Sequence, residues 1–203
     1  MPFGSFQSLE DVSIPFQVRI QVGSFLQMLP VAVDPRFAAD LDFCLQNIAI
    51  RSESGAAEFL IAPVLREVWR PYSNDLLIWS HVPFKAEPPL VGTPDWFFSR
   101  RTSLGLVPDL PYVLVVEAKR DDFDAGWGQC LAAMLAAQKL NGSTQRGIFG
   151  CVTNGRLWEF AKLFDKDFTQ EVRSFALSDL AGLFAALNTL LALAREQALA
   201  SAA

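Results

Sequence analysis

The sequence predicts an α/β fold in which a mixed central β-sheet carries helices on both faces. Three observations lead there. Tyr112-Val-Leu-Val-Val116 is an unbroken apolar run that ends abruptly in Glu117-Ala118-Lys119. A valine-rich run of that length reads as a strand covered on both faces, so it belongs in the middle of a sheet. Residues 125–140 form a helix that is apolar almost all round: Trp127, Leu131, Met134 and Leu135 lie on one face, and small Ala132, Ala133 and Ala136 beside Gln129 on the other. Such a helix is buried on two sides. Finally, Ile148–Val152 and Leu157–Leu163 flank Thr153-Asn154-Gly155-Arg156, and Asn-Gly between two such runs is a strong hairpin signal.

The remaining elements follow in order. Met1 to Ser13 looks loosely ordered. Phe16, Val18, Ile20 and Val22 alternate with polar residues, which predicts a short strand with one wet face. Asp34-Pro35 supplies an N-cap and a first-turn proline for a helix from Pro35 to Ile50. A second helix is expected from Ser52 to about Trp69, with Pro63 kinking or breaking it. Asp75–Val82 reads as a strand, 85–90 as a loop, and 93–100 as an aromatic strand entered through a glycine-proline turn at Gly92-Thr-Pro94, with Asp95 at its start. Pro111 stands at the first residue of the central strand, where proline is tolerated. Asp124 is the expected N-cap of the 125–140 helix, which Asn141-Gly142 closes. Ser178 is the expected cap of a long C-terminal helix whose Ala-rich tail frays beyond Arg195.

The 203 residues fit one domain with a proper core: an N-terminal extension over 1–34, a core at about 52–164, and a C-terminal helix at about 178–200. With 51% apolar and 19% charged residues the composition is globular. No stretch is apolar enough for a membrane span, and no basic region followed by an apolar segment marks a secretory signal. Three scattered cysteines without a CxxC, Cys44, Cys130 and Cys151, point to a reducing compartment, so the expected location is the cytoplasm. One histidine, His81, argues against histidine triads and multi-histidine metal sites; as a strand-end residue it reads as a structural hydrogen-bonding group. A net charge of -5 counts against tight, non-specific nucleic-acid binding, though it leaves room for a local basic patch.

The chemistry concentrates at the end of the central strand. Residues i and i+2 share a face, so Glu117 and Lys119 project together. Read alone, the triplet is a salt bridge at a strand end. Register adds a second acid. If the aromatic strand and the central strand pair antiparallel with Asp95 opposite Glu117, then Phe97 faces Val115 and Ser99 faces Val113, and the turn falls within Gly105-Leu-Val-Pro108, where turn residues stand. Asp109, also preceded by proline, enters the central strand at its other end, roughly 26 Å from Glu117 at ~3.3 Å per residue, and cannot share the site. Two carboxylates and a lysine make an oxygen-rich site for a hard divalent ion such as Mg²⁺, which activates water and offsets charge developing on a phosphate.

Pro94-Asp95 followed by Glu117-Ala118-Lys119 resembles the PD-(D/E)XK superfamily, the restriction-endonuclease-like nucleases. The apolar strand before the triplet matches that pattern, and the match covers about Ser52 to Phe160. Gln129 looks like the glutamine of the exonuclease and type I restriction branches, although the position four residues on, where those branches often carry tyrosine, is Ala133. Glu53 looks like their first-helix glutamate, with Glu58 as the competing candidate. The chain is also similar to uncharacterised bacterial proteins with a Glu-Ala-Lys segment and a Gly128-Gln129 pair. The resemblance implies a restriction-endonuclease-like fold and Mg²⁺- or Mn²⁺-dependent phosphodiester hydrolysis. It implies catalytic roles for Asp95, Glu117, Lys119 and Gln129, and metal ligation by Asp95, Glu117 and Glu53 (or Glu58). The implied partner is nucleic acid, DNA ahead of RNA, with no membrane; a homodimer or a protein partner stays open. The alternative is a catalytically inactive binding module on the same fold.

Overall fold

A computed structural model of the protein describes residues 3 to 200. In chain order the helices are α1 (Leu9–Phe16), α2 (Pro35–Asn47), α3 (Glu53–Ala56), α4 (Ala62–Trp69), α5 (Phe123–Asn141) and α6 (Leu180–Leu199). The strands are β1 (Arg19–Gly23), β2 (Leu76–Ser80), β3 (Phe84–Lys85), β4 (Val91–Gly92), β5 (Trp96–Arg100), β6 (Tyr112–Ala118), β7 (Ile148–Thr153), β8 (Leu157–Phe164), β9 (Asp167–Glu171) and β10 (Phe175–Ala176). The main sheet runs β1-β9-β8-β7-β6-β5-β2, with β10 added against β8. The β1–β9 and β6–β7 pairs are parallel and the others antiparallel, so the sheet is mixed and mostly antiparallel.

The expected centre is the observed one. β6 lies between β5 and β7, and Val113 to Ala118 are all buried, Glu117 included. Alternation along the strands builds two layers. Trp96, Phe98, Leu114, Val116, Phe149, Trp158 and Phe160 pack under α4 and α6. Phe97, Val115, Val152, Ala161, Leu163 and Phe168 pack under α5, with Val12 of α1 in the same cluster. Burial of these side chains, at roughly 1.5–3 kcal/mol each, is what holds the sheet between its helices. Among the described residues no helix is long and apolar enough to cross a membrane. The three cysteines are free thiols.

Several boundaries differ from expectation, each for a local reason. The stretch read as loosely ordered contains a 3₁₀ turn at Phe3–Ser5 and then α1, whose N-cap Ser8 and N3 residue Asp11 form a capping box; Met1 and Pro2 lie outside the described residues. Strand β1 starts at Arg19 and is an exposed edge. Helix α2 stops at Asn47, three residues short of Ile50. Helix α5 starts earlier than expected because Asp122, not Asp124, is its cap, accepting from Ala125 N at 2.9 Å. Likewise Asp179, not Ser178, caps α6, which stays helical to Leu199 with Ala198 buried instead of fraying after Arg195. The 85–90 loop is closed by a small β3–β4 ribbon. Strands β9 and β10 have no counterpart in the sequence reading.

Pro63 acts as foreseen, by an unforeseen means. Between α3 and α4 the backbone widens into a π-helical turn at Ala57–Ile61. A proline has no N–H for the residue four back and its ring collides with that carbonyl, so the helix loosens just before Pro63 and resumes with the proline in its first turn.

Candidate active site

Two strand registers assemble the site. In the β5–β6 pair Trp96 faces Val116, Phe97 faces Val115 and Phe98 faces Leu114, which puts Asp95 opposite Glu117 one step further out. That is the register expected from the sequence. Beyond Phe98 it slips: Ser99 pairs with Tyr112, so Val113 is an extra residue and does not face Ser99 as expected. A bulge of this kind bends a strand without moving its far end, and the site end keeps its register. In the β2–β5 pair Ser80 faces Trp96, so the next residue, His81, faces Asp95 and donates its backbone N–H to the Asp95 carbonyl at 2.9 Å. Three neighbouring strand ends thus deliver His81, Asp95 and Glu117 in a row.

Asp95 is held on both sides. Its Oδ2 accepts from Ala118 N at 2.7 Å, and its Oδ1 lies 3.5 Å from His81 Nε2. His81 stands at φ +53°, a left-handed conformation uncommon away from glycine. Its Nδ1 shares a hydrogen bond of 2.8 Å with Ser80 Oγ. Lys119 does not pair with Glu117, as an isolated strand-end salt bridge would; its Nζ lies 3.8 Å from Glu53 Oε1. The other oxygen of Glu53 accepts from Arg120 N at 3.2 Å, so this helix-start acid clasps the end of β6. Ser52 caps α3 and fixes Glu53 in its first turn, accepting from Gly55 N at 3.0 Å.

Glu117 is the anomalous group. It is 4% exposed, and its Oε1 is buried without a hydrogen-bond partner. Burial pushes its carboxyl well above the ordinary carboxylate range; the nearby charge of Asp95 pushes the same way, a hydrogen bond to Asp95 and the charge of Glu53 add to it, and the opposing pull of Lys119 does not compensate. An orphaned carboxylate oxygen inside a protein costs free energy unless something neutralises it.

A cleft of about 370 Å³ opens beside these groups, lined by Glu53, Glu58, His81, Asp95, Trp96 and Ala118 among others. Both helix glutamates border it. The hydrogen bond to Arg120 and the contact with Lys119 belong to Glu53, while Glu58 sits in the π turn. Gln129 is half-buried on α5, and its side chain makes no hydrogen bond among the described residues. Its neighbours set the spacing: a Cβ at Gly126 would meet Lys119 Cγ at 3.0 Å and Val152 Cγ1 at 2.7 Å, and one at Gly128 would meet the Ser8 backbone at 2.7 Å. Asp109 lies at the other end of β5, 3.6 Å from Arg100, as the register demands. His81 is the site neighbour that sequence reasoning reads as merely structural. The signal that places it is the pairing of its strand with β5, which no local motif announces.

Among the described residues no three His, Cys, Asp or Glu side chains close on one point tightly enough to hold a metal ion by themselves. Carboxylate oxygens are the donors a hard cation takes from a protein, and Asp95 and Glu117 are the two that stand opposite each other here, one oxygen of Glu117 having no partner among the described residues.

Neither a family model nor a curated protein matches the chain. A solved structure similar to it is the cryo-EM structure of a DrdV–DNA complex, 18% identical, with a TM-score of 0.45; the likeness covers 79% of this chain and 13% of that one.

Proposed function

We propose that the chain is a metal-dependent nuclease with a restriction-endonuclease-like core, hydrolysing phosphodiester bonds of DNA or RNA at the Asp95–Glu117–Lys119 site. The observation that carries this reading is the buried, unpartnered Glu117 Oε1 lying opposite Asp95. A fold that needs only stability has no reason to keep a raised-pKa carboxylate beside a second one; buried acids with such shifts are typical of working sites. Asp95 and Glu117 would hold Mg²⁺ or Mn²⁺, with Glu53 as a further acid. Such an ion supplies charge neutralisation at the phosphate and a more acidic bound water.

The protein's own part is positioning. Ala118 N–H fixes one oxygen of the Asp95 carboxylate against β6, which sets the direction of the other. Lys119 carries a cation to the same strand end, where it can orient an attacking water or offset negative charge on the phosphate oxygens. The contact with Glu53 and the close approach of Gly126 hold its chain in place. Gln129 is left with an unengaged amide on the adjoining helix.

The test is a titration of the purified chain with Mg²⁺ and Mn²⁺ by calorimetry, followed by incubation with linear duplex DNA, single-stranded DNA and RNA in each metal. Metal binding at millimolar concentration, with cleavage that chelator stops, is the expected result. Absence of both would overturn the reading. Binding of nucleic acid without cleavage in any metal would leave the inactive binding module instead.

A further inference from the structure

We propose that Arg51, Arg120 and Arg156 form a basic rim beside the acidic cleft, which receives the phosphodiester backbone of a nucleic acid flanking the reacting phosphate. The choice of ligand rests on the nuclease reading above; the existence of the rim does not. The three arginines come from distant parts of the sequence, yet two side chains tie their backbones together. Glu53, two residues after Arg51, accepts from Arg120 N at 3.2 Å. Asn154 donates from Nδ2 to the Arg120 carbonyl at 3.4 Å and accepts from Arg156 N at 3.0 Å through Oδ1. The parallel β6–β7 pair, with Lys119 N donating to Thr153 O at 2.9 Å, sets the β7–β8 turn beside the end of β6.

All three side chains are exposed and stand outside the cleft lining, and Arg156 also borders a neighbouring groove with Leu41, Asp42 and Leu45 of α2. Among the described residues the guanidinium groups of Arg51 and Arg156 make no ion pair and no hydrogen bond. Arg120 meets only its neighbour Asp121, at 3.1 Å with both groups largely in solvent, an interaction of about 0–1 kcal/mol that a stronger anion displaces. Of the other arginines, Arg19, Arg70, Arg100, Arg173 and Arg195 are each engaged by a carboxylate, whereas Arg36 and Arg66 are, among the described residues, free like those of the rim.

Charge decides the ligand. The cleft presents Glu53, Glu58 and Asp95, with Glu117 behind them, and by itself repels a polyanion. Phosphates on either side of the one being attacked therefore need cations just outside it. Guanidinium groups suit this because they bind phosphate oxygens in a bidentate fork and stay charged at any working pH. In a chain of net charge -5, such a local rim is where phosphates can be held.

The experiment measures binding and leaves cleavage aside. Anisotropy of labelled duplex and single-stranded DNA is followed between roughly 50 and 200 mM salt, with Ca²⁺ replacing Mg²⁺, for the wild type and for the triple variant Arg51→Glu, Arg120→Glu, Arg156→Glu. Lys166→Glu, in the β8–β9 turn at the opposite end of the sheet, is the control. The triple variant should bind at least about tenfold more weakly, and the slope of log affinity against log salt should fall by about 0.9 for each duplex phosphate that is no longer neutralised. Lys166→Glu should bind as the wild type does. Should the triple variant misfold, as its melting curve would show, single alanine substitutions at these exposed sites read the same slope. Unchanged affinity and slope overturn the rim, as does an equal loss in Lys166→Glu or a wild type that binds neither DNA at low salt. Polyglutamate competing as well as DNA would point to an acidic protein and overturn the nucleic-acid assignment. A working rim without cleavage in Mg²⁺ or Mn²⁺ sinks only the enzyme reading; cleavage with an inert rim sinks only this one.

Discussion

Glu117 and Glu171 are each 4% exposed, and the protein treats them in opposite ways. Burial pushes the Glu171 carboxyl up, but hydrogen bonds from Arg173 and from the N–H groups of Leu26 and Phe25, with the charge of Arg173, outweigh it and hold the group at about 2. Arg173 also donates to the Leu26 carbonyl at 2.7 Å, so the pair clamps the segment after β1 onto the sheet. Glu117 has an oxygen with no partner and a carboxyl raised far above its usual range. The same side chain at the same surface exposure is a completed clamp near the edge of the sheet in one place and an open valence in its interior in the other. Burial alone therefore says nothing about purpose; the satisfaction of the oxygens does.

The sharpest break of this comparison comes from the site itself. Asp95→Asn or Lys119→Ala should each reduce cleavage by roughly a thousandfold or more, because groups that act as one unit lose nearly the whole rate together. Residual activity near that of the wild type would remove the site from the chemistry. At the clamp, Arg173→Met should lower the unfolding free energy by about 3 kcal/mol in a denaturant titration. That is the low end for a broken buried pair, since Arg173 is itself 41% exposed, and cleavage per folded molecule should be unaffected. At the site the sign reverses: Glu117→Gln should leave the metal-free protein equally stable or more so, by about 1 kcal/mol, while abolishing metal binding in calorimetry.

The pH profiles of stability should diverge in the same way. Glu171 is depressed from 4.5 to about 2, so the unfolded chain binds the extra proton in that interval; its contribution, about 3 kcal/mol, is present above pH ~5 and lost as pH falls toward 2. Glu117 is raised, so the folded chain binds the extra proton, and stability falls as pH rises from 4.5 through its elevated pKa. Melting curves of Glu117→Gln and Arg173→Met across pH separate the two, each variant flattening one limb. The smallest effect belongs to Asp109→Asn at the far end of β5, which should change stability by less than about 0.5 kcal/mol and leave cleavage intact. Loss of activity there would make Pro108-Asp109, and not Pro94-Asp95, the working pair.

Much of the site is legible because it lies on the two most regular strands. Aromatic Trp96–Phe98 and aliphatic Leu114–Val116 alternate cleanly, and turn residues between them fix the register that sets Asp95 against Glu117. Ser99 and Val113 escape that arithmetic because a bulge leaves no mark in an apolar pattern. His81 escapes it because its place depends on β2 pairing with β5, a non-local fact. Strand β9, Asp-Phe-Thr-Gln-Glu, hides because it borders the edge strand and keeps polar side chains on both faces. Helix α1 does carry a signal: Ser8 and Asp11 are spaced as a capping box, with aspartate in the usual place of glutamate. The partner of Lys119 is not legible, since Glu53 reaches it from a separate helix.

The π turn before Pro63 has a consequence in helical phase. A π turn is equivalent to one residue inserted into an α-helix, and one residue is about 100° of rotation. Upstream of Ala57–Ile61, everything on α3 is therefore turned by about that angle relative to α4, and it is in this rotated frame that Glu53 meets Lys119 and Arg120. A chain lacking one residue of that turn would hold every charged group of the cleft and still swing Glu53 away from the strand end, with the hydrophobic stripe of α4 undisturbed. The phase of one helix, and not the inventory of acids, decides which glutamate holds the lysine.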